Sequence, residues 1–488
     1  MTSTSHSKIN IPPALVIFFA ALLIRALHLI SSASILPFEF RLNDGMFFDA
    51  LASALARGEH TSPMPVVGLS PAYVGFLYLF QKLMGPDLIW PRIAQIFIGS
   101  LACVGLQQIT KNLFGSRAGW IAGLLAAFCG IFIYFDMLLI KASLSNSLFI
   151  FFLWIFQRGL ESPFAAFPAG VAFMTACMLR MQMVMTLPWV LWVGVKEVWQ
   201  KSQFKVVFGL VLFLVAIFAT EVGWGHWFQS AMARTKGVPT AQEVAAPQSG
   251  IHFYMGNHPN ANGTYKRVPG IRPSAVGHVF DTRKIAEEVL KHKLNMQQVN
   301  TFWTAQAIKS IVENPKHWIL LELKKLFLIW NAYEIPNSHH YDYWRKFSKV
   351  LSLPLVSYGW LAPLALIGWI RLRDDKRLMV SLLKGFAVSY ILSLLLTFVT
   401  ADYRLPLHPI WIIFSAFALD QIWNDLMEKR MIVLRNTALV FLALFVFCNY
   451  QTYLSKFNYD TYMQKRFDTV LSPKKPELPK VSAELKPA

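Results

Sequence analysis

Asp44, Arg92, Asp136, Lys141, Arg180 and the turn Asp402-Tyr403-Arg404 stand beside long uncharged stretches of this chain. A charge next to hydrocarbon is costly, and it persists where it pairs, snorkels to water or binds something charged. Any one of these residues is explained as well by snorkelling or by a structural ion pair. Several carboxylates and cations on one membrane face would instead make a site for a lipid head group. Whether they share a face depends on the elements that carry them.

Asp44 opens the stretch Asn43 to Gly58, which reads as a short amphipathic helix. Phe47, Phe48, Leu51 and Leu55 recur at three- and four-residue spacings, with Asp49, Ser53 and Arg57 on another face. Asn43 or Asp44 supplies the N-terminal cap and Gly58 the stop. Such a helix lies in the membrane interface with its aromatics in lipid and leaves Asp44 at the surface. A second helix is expected over Leu69 to Met84, with Ser70-Pro71 at its start and Gly85 at its end. It is short for a span and suits a half-embedded juxtamembrane helix.

The 488 residues are 55% hydrophobic and only 15% charged, which excludes an ordinary soluble protein and specifies a polytopic helical membrane protein. The net charge of +19 is not a nucleic-acid signature, because much of it falls in short loops between apolar stretches. Cys103, Cys129, Cys177 and Cys448 lie in apolar segments without paired or metal-type spacing, as packing residues do. The first apolar run, Ile11 to about Leu29, contains Arg25 and His28 and reads as a retained signal anchor.

Further spans are expected at 92–111, 118–135, 138–156, 164–179, 182–198, 206–227, 351–370, 379–400, 406–423 and 432–449, about eleven with the anchor. If 69–84 stays on the outer surface, the inner loops carry Lys111 and Arg117; Arg158; Lys196, Lys201 and Lys205; Arg371 to Arg377; and Lys429, Arg430 and Arg435. All are basic, as the positive-inside rule requires, and the opposite topology would put them all outside. Asp44, Arg92, Asp136, Lys141, Arg180 and the 402–406 turn then share the outer face. The chain divides into a transmembrane module, 1–227, with its outer loop at 32–91; an outer domain, 228–350; late spans, 351–450; and an outer tail, 451–488.

In the outer domain, Ser249 to Tyr265 is turn-rich, while Thr282 to Lys293 and Met296 to Glu313 read as amphipathic helices. Trp318 to Trp330 is apolar but broken by Glu322, Lys324 and Lys325, which suits the interface. His339 and His340 are adjacent and have no metal-type spacing, so they read as surface histidines.

Four patterns together resemble the GT-C glycosyltransferases, in particular bacterial relatives of the protein O-mannosyltransferases and of the lipid A aminoarabinose transferase. They are Asp44 opening its helix, the Ser70-Pro71 helix, Tyr134 to Leu148, and Tyr403-Arg404-Leu405-Pro406 before a late span. Phe253 to Asn257 and Trp330 to Pro336 look like a subgroup of that superfamily. The resemblance implies an all-α GT-C fold with an outer, mainly helical domain. It also implies transfer of a sugar from a polyprenyl-phosphate donor to a lipid, glycan or protein acceptor, on the periplasmic face of a bacterial inner membrane.

By the same resemblance Asp44 is the base and Asp136 a second catalytic carboxylate, with Arg92, Lys141, Arg180, Tyr403, Arg404, Asn257 and Glu334 binding substrate. No cofactor is required where arginine and lysine neutralise the phosphate. One departure stands out: relatives often carry an acidic residue where Lys141 stands, so either Asp136 takes that place or Lys141 binds phosphate. A transporter or flippase would show repeated halves and polar midspan residues, and a non-catalytic subunit of a glycan pathway would tolerate loss of Asp44. An acyltransferase or glycan polymerase would depend on His252, His258 or His339.

Overall fold

The computed structural model describes residues 12–32, 44–61, 70–160, 162–201, 204–238 and 248–450. Residues 33–43 and 62–69 of the outer loop, with Asn43 and Leu69 among them, and the outer tail lie outside the described residues. The chain is helical almost throughout. From the N-terminus run α1 (Pro13–Ser32), α2 (Asp44–Arg57), α3 (Pro71–Met84), α4 (Ile89–Phe114), α5 (Ser116–Ala127), α6 (Gly130–Met137), α7 (Lys141–Gly159) and α8 (Ala166–Leu179). Next come α9 (Leu187–Lys201), α10 (Phe204–Ala233), α11 (Ser249–Asn257), α12 (Thr282–Leu290), α13 (Met296–Glu313), α14 (Pro315–Trp330) and α15 (Tyr341–Arg345). The last are α16 (Tyr358–Arg371), α17 (Leu378–Leu396), α18 (Ala401–Arg404), α19 (His408–Met427) and α20 (Met431–Asn449).

Local chemistry sets many of these boundaries. Asp44 in the first turn of α2 and Arg57 in the last complement the helix dipole, and Gly58 at φ 81° ends it. Pro71 begins α3, and Asn295 with Gln298 forms a capping box on α13. At Gly115, φ 95° turns the chain so that α5 packs back along α4.

Six helices among the described residues are long and apolar enough to cross a membrane: α1, α4, α10, α17, the run Ala401–Met427, and α20. Phe19, Leu23 and Ile30 on α1, Phe218 on α10, and Ile432 and Leu439 on α20 are all exposed. A greasy exterior on helices of that length belongs to an integral membrane protein.

The bundle has two chemically distinct ends. At one, Arg117 Nε donates to Asp420 Oδ1 at 2.5 Å, Arg371 Nη1 to Asp425 Oδ2 at 2.8 Å, and Arg377 to the Leu113 carbonyl. These are residues that the charge pattern assigned to inner loops. From there α5 with α6, α8, and α19 traced backwards lead to the other end, where Lys141, Arg180 and Asp402 meet.

Several expectations are corrected. The aromatics of α2 do not face lipid: Phe48 packs on Tyr73 of α3 at 4.9 Å, and Phe47 on Ala275 and Val279 of the outer region. Even Asp49 on the opposite face is buried and accepts from Gln81 Nε2 at 2.6 Å. The expected span 118–135 is broken at Phe128-Cys129, because Val356 exchanges backbone hydrogen bonds there with Phe128 and Gly130. The expected span 351–370 becomes helical only at Tyr358, since its first residues make that bridge. Helix α10 runs on to Ala233, past the expected domain boundary. His340 is no surface residue: it is buried, its Nδ1 accepts from the Tyr343 amide, and its Nε2 contacts Tyr333 Oη at 2.9 Å. On α14 the polarity is inverted, with Ile319, Leu320 and Leu323 outward and Lys325 fully buried against Glu322.

Candidate active site

A cleft opens where α2, α7, the end of α8, the 337–339 loop and α18 converge. Asp44, the first residue of α2, lines it, as does Lys141, the first residue of α7. Phe48, Phe135 and Ile140 form an apolar wall; Arg180, Asn337, His339 and Asp402 complete the polar one. Ile140, Lys141 and Ala142 are the start of α7, which has no side-chain cap. Its first-turn amides and dipole favour an anion at that point, and the Lys141 ammonium adds a full charge.

Arg180 follows the last turn of α8 in extended backbone (φ −145°, ψ 94°), which turns its side chain out of the helix register. The guanidinium lies over the Tyr403 ring at 4.8 Å, and Nη2 stands 3.6 Å from Asp402 Oδ2. Its buried Nε has no hydrogen-bond partner among the described residues. Asp402 is fixed by Thr400, whose Oγ1 donates to Oδ1 at 2.7 Å, and by Asn337, whose Nδ2 donates to Oδ2 at 3.4 Å. Tyr390 Oη donates to the Tyr403 carbonyl at 2.9 Å, pinning the turn from behind. The cleft therefore holds two carboxylates and two cations, with the Arg180–Asp402 pair open by comparison with a normal hydrogen bond.

Behind the cleft a wall of rings continues into the outer region. Tyr403 packs on Phe398 at 5.1 Å, Phe398 on Tyr265 at 5.5 Å, and Tyr265 Oη contacts His278 Nε2 at 3.1 Å. His252 stands 5.6 Å from His278. Burial lowers the His252 imidazole to about 3, with His278 and Lys141 adding to the effect. Burial also lowers His278, to about 4, against the pull of Asp281. Both rings are neutral at pH 7.

The other residues singled out in the sequence fall elsewhere. Asp136 lies behind the cleft wall: Arg25 Nε donates to its Oδ2 at 2.7 Å and Ser143 Oγ to its Oδ1 at 2.5 Å. Arg92 is half-buried at the start of α4, beside Tyr73. Arg404 and Glu334 pair with each other at 2.7 Å in the core. Burial opposes the Glu334 charge, but Arg404 and His408 together hold its carboxyl below the ordinary value. Asn257 is saturated, donating to the Phe253 and Leu396 carbonyls and accepting from Trp318 Nε1 and Lys325 Nζ. Tyr403 acts by stacking behind Arg180.

Asp402 had no assigned role in the sequence, and Asn337 and His339 were missed as liners. Asn337 and His339 closely follow the Trp330 to Pro336 stretch, and Asp402 directly precedes the Tyr403-Arg404-Leu405-Pro406 pattern, both of which the resemblance marks. Among the described residues no group of three or more His, Cys, Asp or Glu side chains is arranged to hold a metal ion.

No protein-family model matches this chain, and no curated protein matches it either. Among solved structures, it aligns with the archaeal oligosaccharyltransferase AglB from Archaeoglobus fulgidus in complex with an inhibitory peptide and a dolichol-phosphate. That alignment has 12% identity, covers 96% of this chain and 60% of the other, and has a TM-score of 0.46. The apo form of the Archaeoglobus fulgidus oligosaccharyltransferase gives 13%, 96%, 61% and 0.45. ArnT from Cupriavidus metallidurans bound to undecaprenyl phosphate gives 13% identity over 84% of this chain and 77% of that one, with a TM-score of 0.35. This chain thus spans about 60% of the length of the archaeal structures it matches.

Proposed function

We propose that this protein is a membrane glycosyltransferase that moves a sugar from a polyprenyl-phosphate donor to an acceptor on the non-cytoplasmic face of a bacterial inner membrane. One observation carries the reading: Asp44 at the start of α2, Lys141 at the start of α7 and Arg180 just after α8 line a single cleft at the bundle end opposite the basic loops. A lipid-linked phosphosugar needs cations for its phosphate and a carboxylate for the incoming nucleophile, close together and beside the bilayer.

In this reading the donor phosphate lies between Lys141, the start of α7 and Arg180, whose Nε takes one of its oxygens. Asp44 accepts the proton of the acceptor hydroxyl or amine as that atom attacks the anomeric carbon. The bond from that carbon to the phosphate oxygen breaks, and the electron pair leaves with the polyprenyl phosphate, where the two cations stabilise it. A single direct displacement inverts the anomeric centre, as in inverting glycosidases. Asp402 holds Arg180 before the donor arrives. A lipid, a glycan and a protein are the acceptor classes compatible with this chemistry.

The test is purification of the full chain and a screen of radiolabelled polyprenyl-phosphate sugars for transfer or hydrolysis. Release of sugar by the parent and not by Asp44→Asn supports the reading. A donor panel left intact by well-folded parent protein, or an Asp44→Asn variant as active as the parent, would overturn it.

A further inference from the structure

We infer that Gln95, a side chain in the middle of the helical packing, is the positioning residue that sets Lys141 against Asp44. The inference rests on the roles proposed for those two residues above, and it concerns the break that joins them. Between α6 and α7 the residues Leu138 to Ile140 are not α-helical. Such a break leaves the Asp136 carbonyl without its helical partner, because the Ile140 amide turns to the Leu138 carbonyl at 2.9 Å instead.

Gln95 supplies the partner. It is 0% exposed, and its Nε2 donates to the Asp136 carbonyl at 3.2 Å and the Leu138 carbonyl at 2.8 Å. Its Oε1 is held in turn by Tyr73 Oη of α3, at 2.8 Å. That phenol ring packs on Phe48, one turn after Asp44 on α2. On the other side of the break, a Cβ added to Gly45, the residue after Asp44, would stand 3.2 Å from the Leu139 carbonyl. The first turn of α2 therefore rests directly on the segment whose neighbouring carbonyls Gln95 fixes, and Lys141 begins the helix that leaves it.

The Asp136 carboxylate completes the clamp by joining Arg25 of α1 to Ser143 of α7. It secures the first turn of α7, whereas Gln95 secures the break itself and links it to the α2–α3 pair. The amide donates to the break and accepts from α3, so a leucine of similar size would fill its space, leave the Asp136 carbonyl without that donor and leave the Leu138 carbonyl with the Ile140 amide alone.

The decisive measurement is distance, read without reference to activity. In the full chain carrying Asp44→Cys and Lys141→Cys, dibromobimane should bridge the two thiols, the native cysteines being buried. Adding Gln95→Leu is expected to slow bridging about tenfold or more, because the two ends of the cleft lose their fixed separation. Tyr73→Phe, which removes only the bond to Oε1, should slow it by a smaller factor and serves if Gln95→Leu does not fold. Bridging within about twofold of the parent rate in whichever of these variants folds would overturn the inference.

On the otherwise native chain, Gln95→Leu should lower kcat about a hundredfold while affinity for undecaprenyl phosphate stays within about threefold. Loss of affinity in step with kcat would mark a merely structural role and count against the proposal. Bridging that depends on Gln95 in a parent that transfers no sugar would sink the glycosyltransferase reading and leave the positioning role standing.

Discussion

Two ion pairs meet on one short helix and differ in almost everything else. Asp402 and Arg404 both belong to α18. Arg404 faces the core, where its guanidinium lies 3.8 Å over the Tyr358 ring, pairs with Glu334 at 2.7 Å, and donates to the Asn331 and Tyr333 carbonyls. Asp402 faces the cleft, where Arg180 stands off at 3.6 Å and leaves its Nε unmatched. The first pair is close and ringed by backbone acceptors, although Arg404 Nε is itself unmatched, and it locks the end of α14 to the late spans. The second is nearly an ångström longer and lines the cleft. Ionisable residues in a membrane protein are therefore sorted here by how tightly they pair and whether they line the cleft, since sequence gives both arginines the same cost and the same apparent promise.

The comparison can be broken first at the carboxylate that the open site is built to use. Asp44→Asn should cut transfer by about a hundred- to ten-thousandfold, the usual contribution of a general base, at unchanged expression. Equal turnover by the two proteins would remove Asp44 from the chemistry. On the closed side, Arg404→Ala is expected to destabilise the fold by about 3–5 kcal/mol, because it strands Glu334 as a buried charge. A detergent-purified variant melting at the parent temperature would show that this pair is no lock.

Arg180→Gln sharpens the contrast. It should weaken undecaprenyl phosphate binding by about 10- to 100-fold, the worth of a charge-assisted hydrogen bond, and lower the melting temperature less than Arg404→Ala does. Calorimetric titration beside a thermal melt separates the two arginines, and a reversal of their order would erase the distinction drawn between them.

The smallest effect is that of pH. His252 and His278 are held near 3 and 4 in the folded chain, below the ordinary histidine value. Between pH 6.5 and those values the unfolded chain takes up protons that the folded chain refuses, so stability is full above pH 6.5 and declines as pH falls. A melt series from pH 7.5 to 5 should show this decline, and His252→Gln with His278→Asn should flatten it. A parent curve already flat would place both rings in a more solvated setting.

Much of the architecture was legible from the chain alone. Apolar length marked where the helices run, Ser70-Pro71 and Gly85 bounded α3, and the basic loops indicated which helix ends belong together. The same sidedness put Asp44, Lys141 and Arg180 on one face, and they line one cleft. It put Asp136 and Arg404 there too, and their partners lie far along the chain: Arg25 for one, Glu334 for the other. No local pattern carries that information.

The sequence determined most of the helices and several of their ends, and its basic loops indicated which ends lie together, because length, periodicity and charge bias are local or summed properties of the chain. Tertiary structure alone decided which charges are used up and which are left facing a cleft. It also decided that α2 is buried rather than lying in lipid, and that the break before Lys141 hangs on a glutamine. Each of these depends on which distant groups come within about 3 Å, the range at which a hydrogen bond forms or fails.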